Sequence, residues 1–144
     1  MNPVVEGSLS FSKMSPEQLF KSIIDALPDV IFFKNNKNEN LGGNRSMLKF
    51  SGRTENEIIG KKDADLFDKG RAERYQKSDE IVLNGGLIWE GREWDKNEDG
   101  DEMYMEVIKM PLKDKKGNVF GLVGISHDIT QHHNYEQELA KAKE

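Results

Sequence analysis

The sequence predicts an α+β domain, in which helices accompany an antiparallel β-sheet. Three strand-like segments, at 87–94, 103–112 and 119–129, are separated only by the turn-forming segments KNEDGDE and KDKKGN. Strands joined by such short turns pair with one another as an antiparallel meander. Several helical patterns precede this meander and one follows it, and this grouping of helices and strands is typical of an α+β domain.

The first predicted element is an amphipathic helix over 15–27. Ser15 is its predicted N-cap, Pro16 occupies the first helical position, and Gln18 completes a capping box. One apolar stripe then follows the helix, made of Leu19, Phe20, Ile23, Ile24 and Leu27. Residues 1–14 show no such pattern, and we expect a flexible N-terminal tail there.

Two strands and three further helical segments are expected before the meander. The β-branched and aromatic segment 29–34 predicts a strand, and 39–43 predicts a second one weakened by two glycines. Short helical turns are expected at 45–51 and 54–59, and a full helix at 69–84. An Asn-Gly-Gly sequence ends that helix, because glycine accepts the left-handed conformation found at helix C-termini.

The last strand of the meander is expected at the centre of the sheet, because it is apolar on both faces. Phe120 and Leu122 lie on one face of the pleat, and Val123 and Ile125 lie on the other. A helical pattern begins after this strand. The chain therefore divides into three predicted parts, which are a tail at 1–14, a domain at 15–130 and the start of an exit helix at 131–144.

The segment GISHDITQHH, residues 124–133, allows two interpretations. Its Ser-His-Asp sequence resembles the phosphoacceptor box of sensor histidine kinases, with His127 as the nucleophile. It also fits a strand end followed by a helix, with Asp128 as N-cap and Gln131 completing a capping box. The second interpretation is favoured, because a phosphoacceptor histidine must lie exposed on a helix and His127 follows a strand pattern.

Composition excludes several classes of protein. The net charge of −5, without a basic face, argues against a nucleic-acid partner. The chain has no cysteine, which excludes disulfides, thiolate metal sites and a cysteine nucleophile. No apolar run approaches the length of a membrane span, and the first residues do not resemble a signal peptide. No contact with a membrane is therefore expected in this segment.

The acidic segment 95–106 matches the calcium-binding loop pattern D-x-N-x-D-G-x5-E. Its candidate ligands are Asp95, Asn97, Asp99 and Glu106. Two features argue against calcium: the eighth loop position is Glu102 instead of an apolar residue, and the flanking segments are strand-like instead of helical. A solvated hairpin turn is the favoured interpretation, and a calcium-binding loop is the lesser alternative.

The inner face of the meander allows either a pocket or a packed core. Met103, Met105 and Val107 share one face of their strand, and the next strand places Gly124 and Ser126 on one face. Glycine and serine in an apolar strand leave room and a polar group for a small molecule. Methionine also fills gaps in packed cores, and from the pattern alone a packed core is the favoured interpretation.

Five segments in the expected order resemble a PAS domain, the sensor module of bacterial histidine kinases, diguanylate cyclases and related signalling proteins. They are LPDVIFFK (27–34), Asn44 with Gly52, EIIGKKDADLF (57–67), EDGDEMYMEVIKMPLKDKKGN (98–118) and GLVGISHDIT (121–130). The resemblance implies a five-stranded antiparallel sheet with short helices over one face. It also implies an N-terminal amphipathic helix and a C-terminal exit, or signalling, helix.

The resemblance further implies a ligand pocket between the sheet and the helices. Its expected residues are Phe32, Met47, Phe67, Tyr75, Met105, Val107, Leu122, Gly124 and Ser126. Flavin photosensors of the family carry a reactive cysteine at the position of Asp63, so covalent flavin photochemistry is excluded here. The long helix lacks the histidine that haem-binding members use, which argues against haem. The cofactor is unknown, and a non-covalently bound flavin or a small metabolite are the open candidates.

The implied function is that of a non-enzymatic sensory and dimerisation module in a cytoplasmic two-component signalling protein. A ligand would act through Asp128, Ile129 and Thr130 on the exit helix and so on an effector domain. We expect a homodimer formed through the N-terminal and C-terminal helices. A ligand-free dimerisation spacer is the alternative.

Overall fold

The structure of the chain is a computed structural model that describes residues 13–143. These residues form one five-stranded antiparallel sheet and six helices, which confirms the predicted α+β class. The strands are β1 (Val30–Asn35), β2 (Asn40–Gly43), β3 (Trp89–Lys96), β4 (Glu102–Lys113) and β5 (Val119–Asp128). The helices are α1 (Pro16–Ala26), α2 (Arg45–Ser51), α3 (Glu55–Ile58), α4 (Asp63–Leu66), α5 (Lys69–Gly85) and α6 (Thr130–Ala142). Residues 1–12 of the predicted tail lie outside the described residues.

The strand order is β2-β1-β5-β4-β3, so β5 lies at the centre of the sheet as its two apolar faces predict. It pairs with β1 on one side and with β4 on the other. Gly124 lies opposite Phe32, and Ser126 lies opposite Val30 and Val107. Because side chains alternate along a strand, these residues all project from the same face of the sheet. We call it the inner face.

Helices α2 to α5 cover the inner face. The buried apolar core between the helices and the sheet consists of Val30, Met47, Ile58, Leu66, Met105 and Val107. The end of α5 confirms the prediction made from its glycines, because Gly86 adopts φ 64° at the C-cap. Helix α4 was not predicted, since its four residues are too few to show a helical period.

Asn44 joins three elements beneath β1. Its side-chain oxygen accepts from the backbone N–H of Met47, which caps α2, and from that of Ile31 in β1. Its amide nitrogen donates to the carbonyls of Ile24 and Asp29, each at 2.8 Å. The side chain is fully buried and fully hydrogen-bonded, which is the condition for a buried polar group to be tolerated. Asn44 thus fixes where α1 ends and α2 begins.

Helix α1 has the predicted capping box. Ser15 Oγ accepts from the Gln18 N–H at 3.1 Å, and Gln18 Oε1 accepts from the Ser15 N–H at 3.0 Å. The Phe20 ring packs on Phe33 with ring centroids 5.5 Å apart. Half of the Phe20 surface is nevertheless exposed, so α1 leaves an apolar stripe in contact with solvent.

Among residues 13–143, the longest helices lack the combination of length and apolar character that a membrane span requires.

Candidate functional site

A cavity of about 40 Å³ lies between the inner face and the helices. It has room for about two or three water molecules. Seven of the nine predicted pocket residues line it, namely Phe32, Met47, Phe67, Tyr75, Met105, Val107 and Ser126. The remaining lining residues are Val30, Lys34, Asn40, Phe50, Asp63, Glu93, Asp95 and Lys109. Charged and apolar side chains therefore share the same small space.

Leu122 and Gly124 project from the inner face but do not line the cavity. Leu122 is fully buried in the packed core beside Lys34 and Pro111. A Cβ atom at position 124 would overlap Cζ of Phe32. Glycine is therefore required here because the Phe32 ring lies directly over its backbone, and the room that the sequence assigns to a ligand is filled by that ring.

Two lysines and two aspartates form a buried ionic group beside the cavity. Lys34 Nζ donates to the carboxylates of Asp63 and Asp79. Lys109 Nζ donates to Asp79 Oδ1 and to Ser78 Oγ, both at 2.7 Å. Lys34 and Lys109 are each 2% exposed, and Asp79 is 0% exposed. We call Lys34, Asp63, Asp79 and Lys109 the buried charge cluster.

The two lysines of this cluster have opposite pKa shifts. Burial alone lowers the pKa of Lys34, but the nearby Asp79 and Asp63 carboxylates outweigh burial and raise that pKa above its ordinary value. Burial also lowers the pKa of Lys109, and the single carboxylate of Asp79 does not restore it. Lys34 is thus the more firmly protonated of the two ammonium groups.

A second ionic group closes the cavity on the side of β3. Arg74 pairs with Glu93 at 3.0 Å and with Asp95, and Arg71 lies 3.4 Å from Asp95. Arg71 Nε also donates to the Tyr75 hydroxyl at 2.8 Å. Burial raises the pKa of Glu93 despite the attraction of Arg74. Burial raises the pKa of Tyr75 as well, so that hydroxyl keeps its proton.

The candidate calcium ligands lie apart. Asp95 faces the cavity and pairs with arginines, whereas Glu106 lies on the opposite face of the sheet and pairs with Arg92 at 3.0 Å. The turn between β3 and β4 is held by Asn97, whose Oδ1 accepts from the Asp101 N–H at 2.9 Å. Within residues 13–143, no group of three or more acidic or histidine side chains could hold a metal ion. The geometry favours the hairpin interpretation.

The junction between β5 and α6 is tied directly to β4. The Ile129 N–H donates to the Tyr104 carbonyl at 2.9 Å, and Thr130 Oγ1 accepts from the Tyr104 N–H at 2.7 Å. Asp128 Oδ1 accepts from both the N–H and the hydroxyl of Thr130. The two predicted junction residues, Asp128 and Thr130, are therefore hydrogen-bonded to each other, and Thr130 links the end of β5 to β4.

The predicted capping box of Asp128 and Gln131 is wrong. Helix α6 begins at Thr130, with Ile129 at the N-cap position and no side-chain cap. Asp128 is still the last residue of β5, because the Ile129 N–H is bound to β4 and delays the turn into the helix. The Asp128 carboxylate consequently reaches only to Thr130. His127 lies in the strand as predicted, with Nδ1 2.7 Å from Asp29 Oδ1.

An aromatic stack on the outer face of the sheet also contacts α6. The Trp94 and Tyr104 rings are stacked with centroids 4.7 Å apart, and the His133 ring lies 4.5 Å from Tyr104 and 5.5 Å from Trp94. This stack was not predicted from the sequence. Strand alternation places Trp94 and Tyr104 on one face, but the sequence did not indicate that the first turn of α6 would fold back over them.

A family model described as the PAS fold matches residues 24–134. The chain belongs to the PAS fold family. It is 31% identical over 122 residues to the aerobic respiration control sensor protein ArcB of Escherichia coli, a match that covers 85% of this chain. It is 30% identical over 125 residues to the methanogenesis regulatory histidine kinase FilI of Methanothrix harundinacea, a match that covers 87% of this chain.

A solved PAS domain of a protein from Colwellia psychrerythraea has the same fold, with a TM-score of 0.65 and 19% identity. That alignment covers 81% of this chain and 99% of the other. The chain spans only 16% of ArcB and 14% of FilI. These relatives support a sensor role in signal transduction for the domain.

Proposed function

We propose that the domain is the sensory module of a larger signalling protein, binding a small molecule in its cavity and transmitting the change to helix α6. One observation carries the proposal. Strands β4 and β5 supply Met105, Val107 and Ser126 to the cavity wall, and the same strands hold the start of α6 through Tyr104 and Asp128. A ligand that shifts these strands therefore acts directly on the base of the helix.

The transmission needs two arrangements of α6 with different affinities for the ligand. In one arrangement, Ile129 and Thr130 remain bound to the Tyr104 backbone. In the other, movement of β4 weakens these bonds and changes the direction of α6. Asp128 and Thr130 are thus the proposed signal junction, and the effector lies beyond α6.

The domain itself is proposed to be non-enzymatic and cytoplasmic, and to serve a two-component system. Its similarity to the histidine kinase FilI supports a role in a two-component system. PAS domains generally act as sensory modules, and the ionic side chains at this cavity are engaged in ion pairs with one another.

The proposed ligand is a small metabolite. Pockets for drug-sized ligands measure about 300–1,000 Å³, whereas this cavity measures about 40 Å³. A flavin would require a large rearrangement of Phe32 and the methionines. Covalent flavin photochemistry is excluded, because the chain has no cysteine to form the adduct.

A homodimer through α1 and α6 is also proposed. Helix α1 exposes half of the Phe20 and Ile23 side chains, and α6 exposes Tyr135 and Leu139 four residues apart. Residues four apart share one face of a helix. Pairing of these faces would join the exit helices of two copies.

Native mass spectrometry of the freshly purified domain, with an absorption spectrum, tests the proposal. We expect an extra bound mass, and a thermal-shift screen of metabolites should then find a stabilising compound. A ligand present at a hundred times its Kd adds about 2.7 kcal/mol to the free energy of unfolding. A bare polypeptide mass together with an empty screen would contradict ligand binding.

A ligand-free dimerisation spacer is the second candidate. It is favoured by the Phe32 ring, which fills the space above Gly124, and by the small cavity volume of about 40 Å³. Such a spacer would show a dimer in native spectra without bound mass.

A further inference from the structure

The ionic side chains around the cavity cancel one another in charge. Two cations and three anions line the cavity, and two further cations and one further anion are paired with these. The eight side chains together have a net charge of zero, and each is in an ion pair within residues 13–143. The cations are Lys34, Arg71, Arg74 and Lys109, and the anions are Asp63, Asp79, Glu93 and Asp95. Burial favours the neutral forms of Lys109 and Glu93, lowering the pKa of the former and raising that of the latter. Because these two groups have opposite signs, neutralising both preserves the balance.

This balance disfavours an ionic ligand. A carboxylate or an ammonium entering the cavity would either remain uncompensated in a medium of low dielectric constant or displace one member of an existing pair. Both outcomes leave a buried charge without its partner, which is strongly unfavourable. An uncharged molecule carries no such cost.

The polar side chains at the cavity can still donate hydrogen bonds. The ammonium of Lys34 has three N–H groups, and its described hydrogen bonds, to Asp63 and Asp79, use two of them. The Tyr75 hydroxyl accepts from Arg71 and retains its own O–H as a donor. The Ser126 hydroxyl adds another donor at the cavity wall. A ligand with a carbonyl or ring-nitrogen acceptor would satisfy these groups.

The apolar part of the cavity wall is adaptable. Seven of the fifteen lining residues have apolar side chains, which are Val30, Met47, Phe32, Phe50, Phe67, Met105 and Val107. Methionine side chains repack readily around different shapes. The cavity can therefore widen to enclose a flat or compact body larger than the water it now fits.

We infer that the cavity takes a small uncharged molecule with an apolar or aromatic body and at least one hydrogen-bond acceptor. This inference rests on the proposed ligand-binding function and names the class of ligand. It predicts selectivity by charge among molecules of equal shape.

Two sets of near-isosteric probes test it in the intact domain. The smaller set is acetamide, acetate and acetamidinium, and the larger set is benzamide, benzoate and benzamidinium. Each set holds shape nearly constant while the charge changes. Binding is followed by the amide chemical shifts of Phe32, Met105 and Ser126 in nitrogen-15 NMR spectra. We expect the uncharged amide of at least one set to bind about tenfold more tightly than either ion.

A matched pair of variants then tests whether charge balance is the cause. Asp63→Asn removes one negative charge from the buried charge cluster, and Glu73→Gln removes one from the exposed surface of α5. Asp63→Asn should shift the preference towards the carboxylate probe, whereas Glu73→Gln should leave the preference of the wild-type domain unchanged. Equal preference in both variants would overturn the charge-balance argument.

The outcomes separate this inference from the proposed function. Benzoate or benzamidinium could bind in the wild-type cavity as tightly as benzamide does. That result would overturn the inference about ligand class, but it would support ligand binding. If none of the six probes changes the backbone amide chemical shifts of Phe32, Met105 and Ser126, both the inference about ligand class and the proposed ligand binding are overturned. That result would favour the spacer. Preferential binding of the amide, lost in Asp63→Asn, would support both.

Discussion

Asp79 is the residue on which the buried charge cluster depends most. Its two carboxylate oxygens bind different lysines, with Oδ2 facing Lys34 and Oδ1 facing Lys109. All three side chains are almost completely buried. Loss of the Asp79 charge would leave Lys34 with the carboxylate of Asp63 alone, and it would leave Lys109 without an ion pair inside the cluster.

Asp79→Asn is therefore expected to destabilise the domain severely. Breaking a buried ion pair by removing one partner costs about 3–5 kcal/mol. Urea unfolding followed by circular dichroism measures the change in the free energy of unfolding. Glu80→Gln, at the adjacent exposed position of the same helix, is the control. This substitution should change the free energy of unfolding by less than about 0.5 kcal/mol. Equal effects of the two substitutions would contradict the role of the cluster.

Glu93 should make stability depend on pH. Burial raises its pKa above the ordinary 4.5, so between 4.5 and its folded-state pKa the folded domain binds more protons than the unfolded chain. By proton linkage, the contribution of Glu93 to the free energy of unfolding then falls as pH rises through this window. The difference in unfolding free energy, wild type minus Glu93→Gln, should fall accordingly between pH 4.5 and 7.

The control for this prediction is Glu90→Gln, an exposed position on the opposite face of β3. The difference in the free energy of unfolding between wild type and Glu90→Gln should stay nearly constant over the same pH range. A rising difference for Glu93→Gln would show that Arg74 dominates the environment of Glu93 and that its pKa is lowered.

The apolar residues of the cavity could be predicted from the sequence, but its charged residues could not. Alternation along β1 and β4 places Lys34 with Phe32 and Lys109 with Val107 on the inner face. A lysine in a strand is usually expected at the surface, and these two positions are tolerable because Asp79 pairs with both lysines and Asp63 also pairs with Lys34. That pairing between distant elements has no local sequence signal.

Strand β3 connects the cavity to the exit helix through its alternation. Glu93 and Asp95 face the arginines at the cavity, while Trp94 between them faces outward and contacts Tyr104 and His133. The ionic groups of the cavity and the aromatic stack are therefore held by neighbouring residues of one strand. This contact with α6 is additional to the backbone bonds of the junction.

Asp128→Ala should loosen the start of α6 without unfolding the domain. The substitution removes the acceptor of two Thr130 hydrogen bonds, each worth about 0.5–1.5 kcal/mol. Hydrogen exchange should accelerate at the first amides of α6, and the free energy of unfolding should fall modestly. Asp99→Ala, in the exposed turn between β3 and β4, is the control for loss of a surface carboxylate. Unchanged exchange in α6 would contradict the proposed junction.

His133→Ala should separate α6 from the sheet while preserving the core. The substitution removes the ring that packs on both Trp94 and Tyr104, so amide exchange in α6 should rise and the near-ultraviolet signal of Trp94 should change. His132→Ala, whose side chain pairs with Glu136 along the helix surface, is the control. If both variants have the same effect, the stack has no role in positioning α6.

The elements of the sheet could be predicted from the sequence almost completely, because alternation and turn residues are local signals. The start of α6 could not be predicted, since the hydrogen bonds of Ile129 and Thr130 to Tyr104 move it. Residues 104 and 130 are far apart in sequence, and no helix-capping pattern reports a contact between them.

The whole domain combines a small, charge-balanced cavity with an exit helix held by the same strands. Its relatives include a sensor protein and a histidine kinase, of which the chain matches a short segment. In the proposed function, this segment acts on an effector through α6. The proposed function therefore requires that events in the cavity change α6.

Hydrogen exchange across the domain tests this requirement most directly, measured by mass spectrometry with and without a saturating concentration of whichever amide probe binds, acetamide or benzamide. We predict changed protection in β4 and β5 around Val107 and Ser126, accompanied by changed protection in α6, with the α6 response lost in Asp128→Ala. Changed protection at the cavity with α6 unaffected in the wild-type domain would contradict the coupling that the proposed function requires.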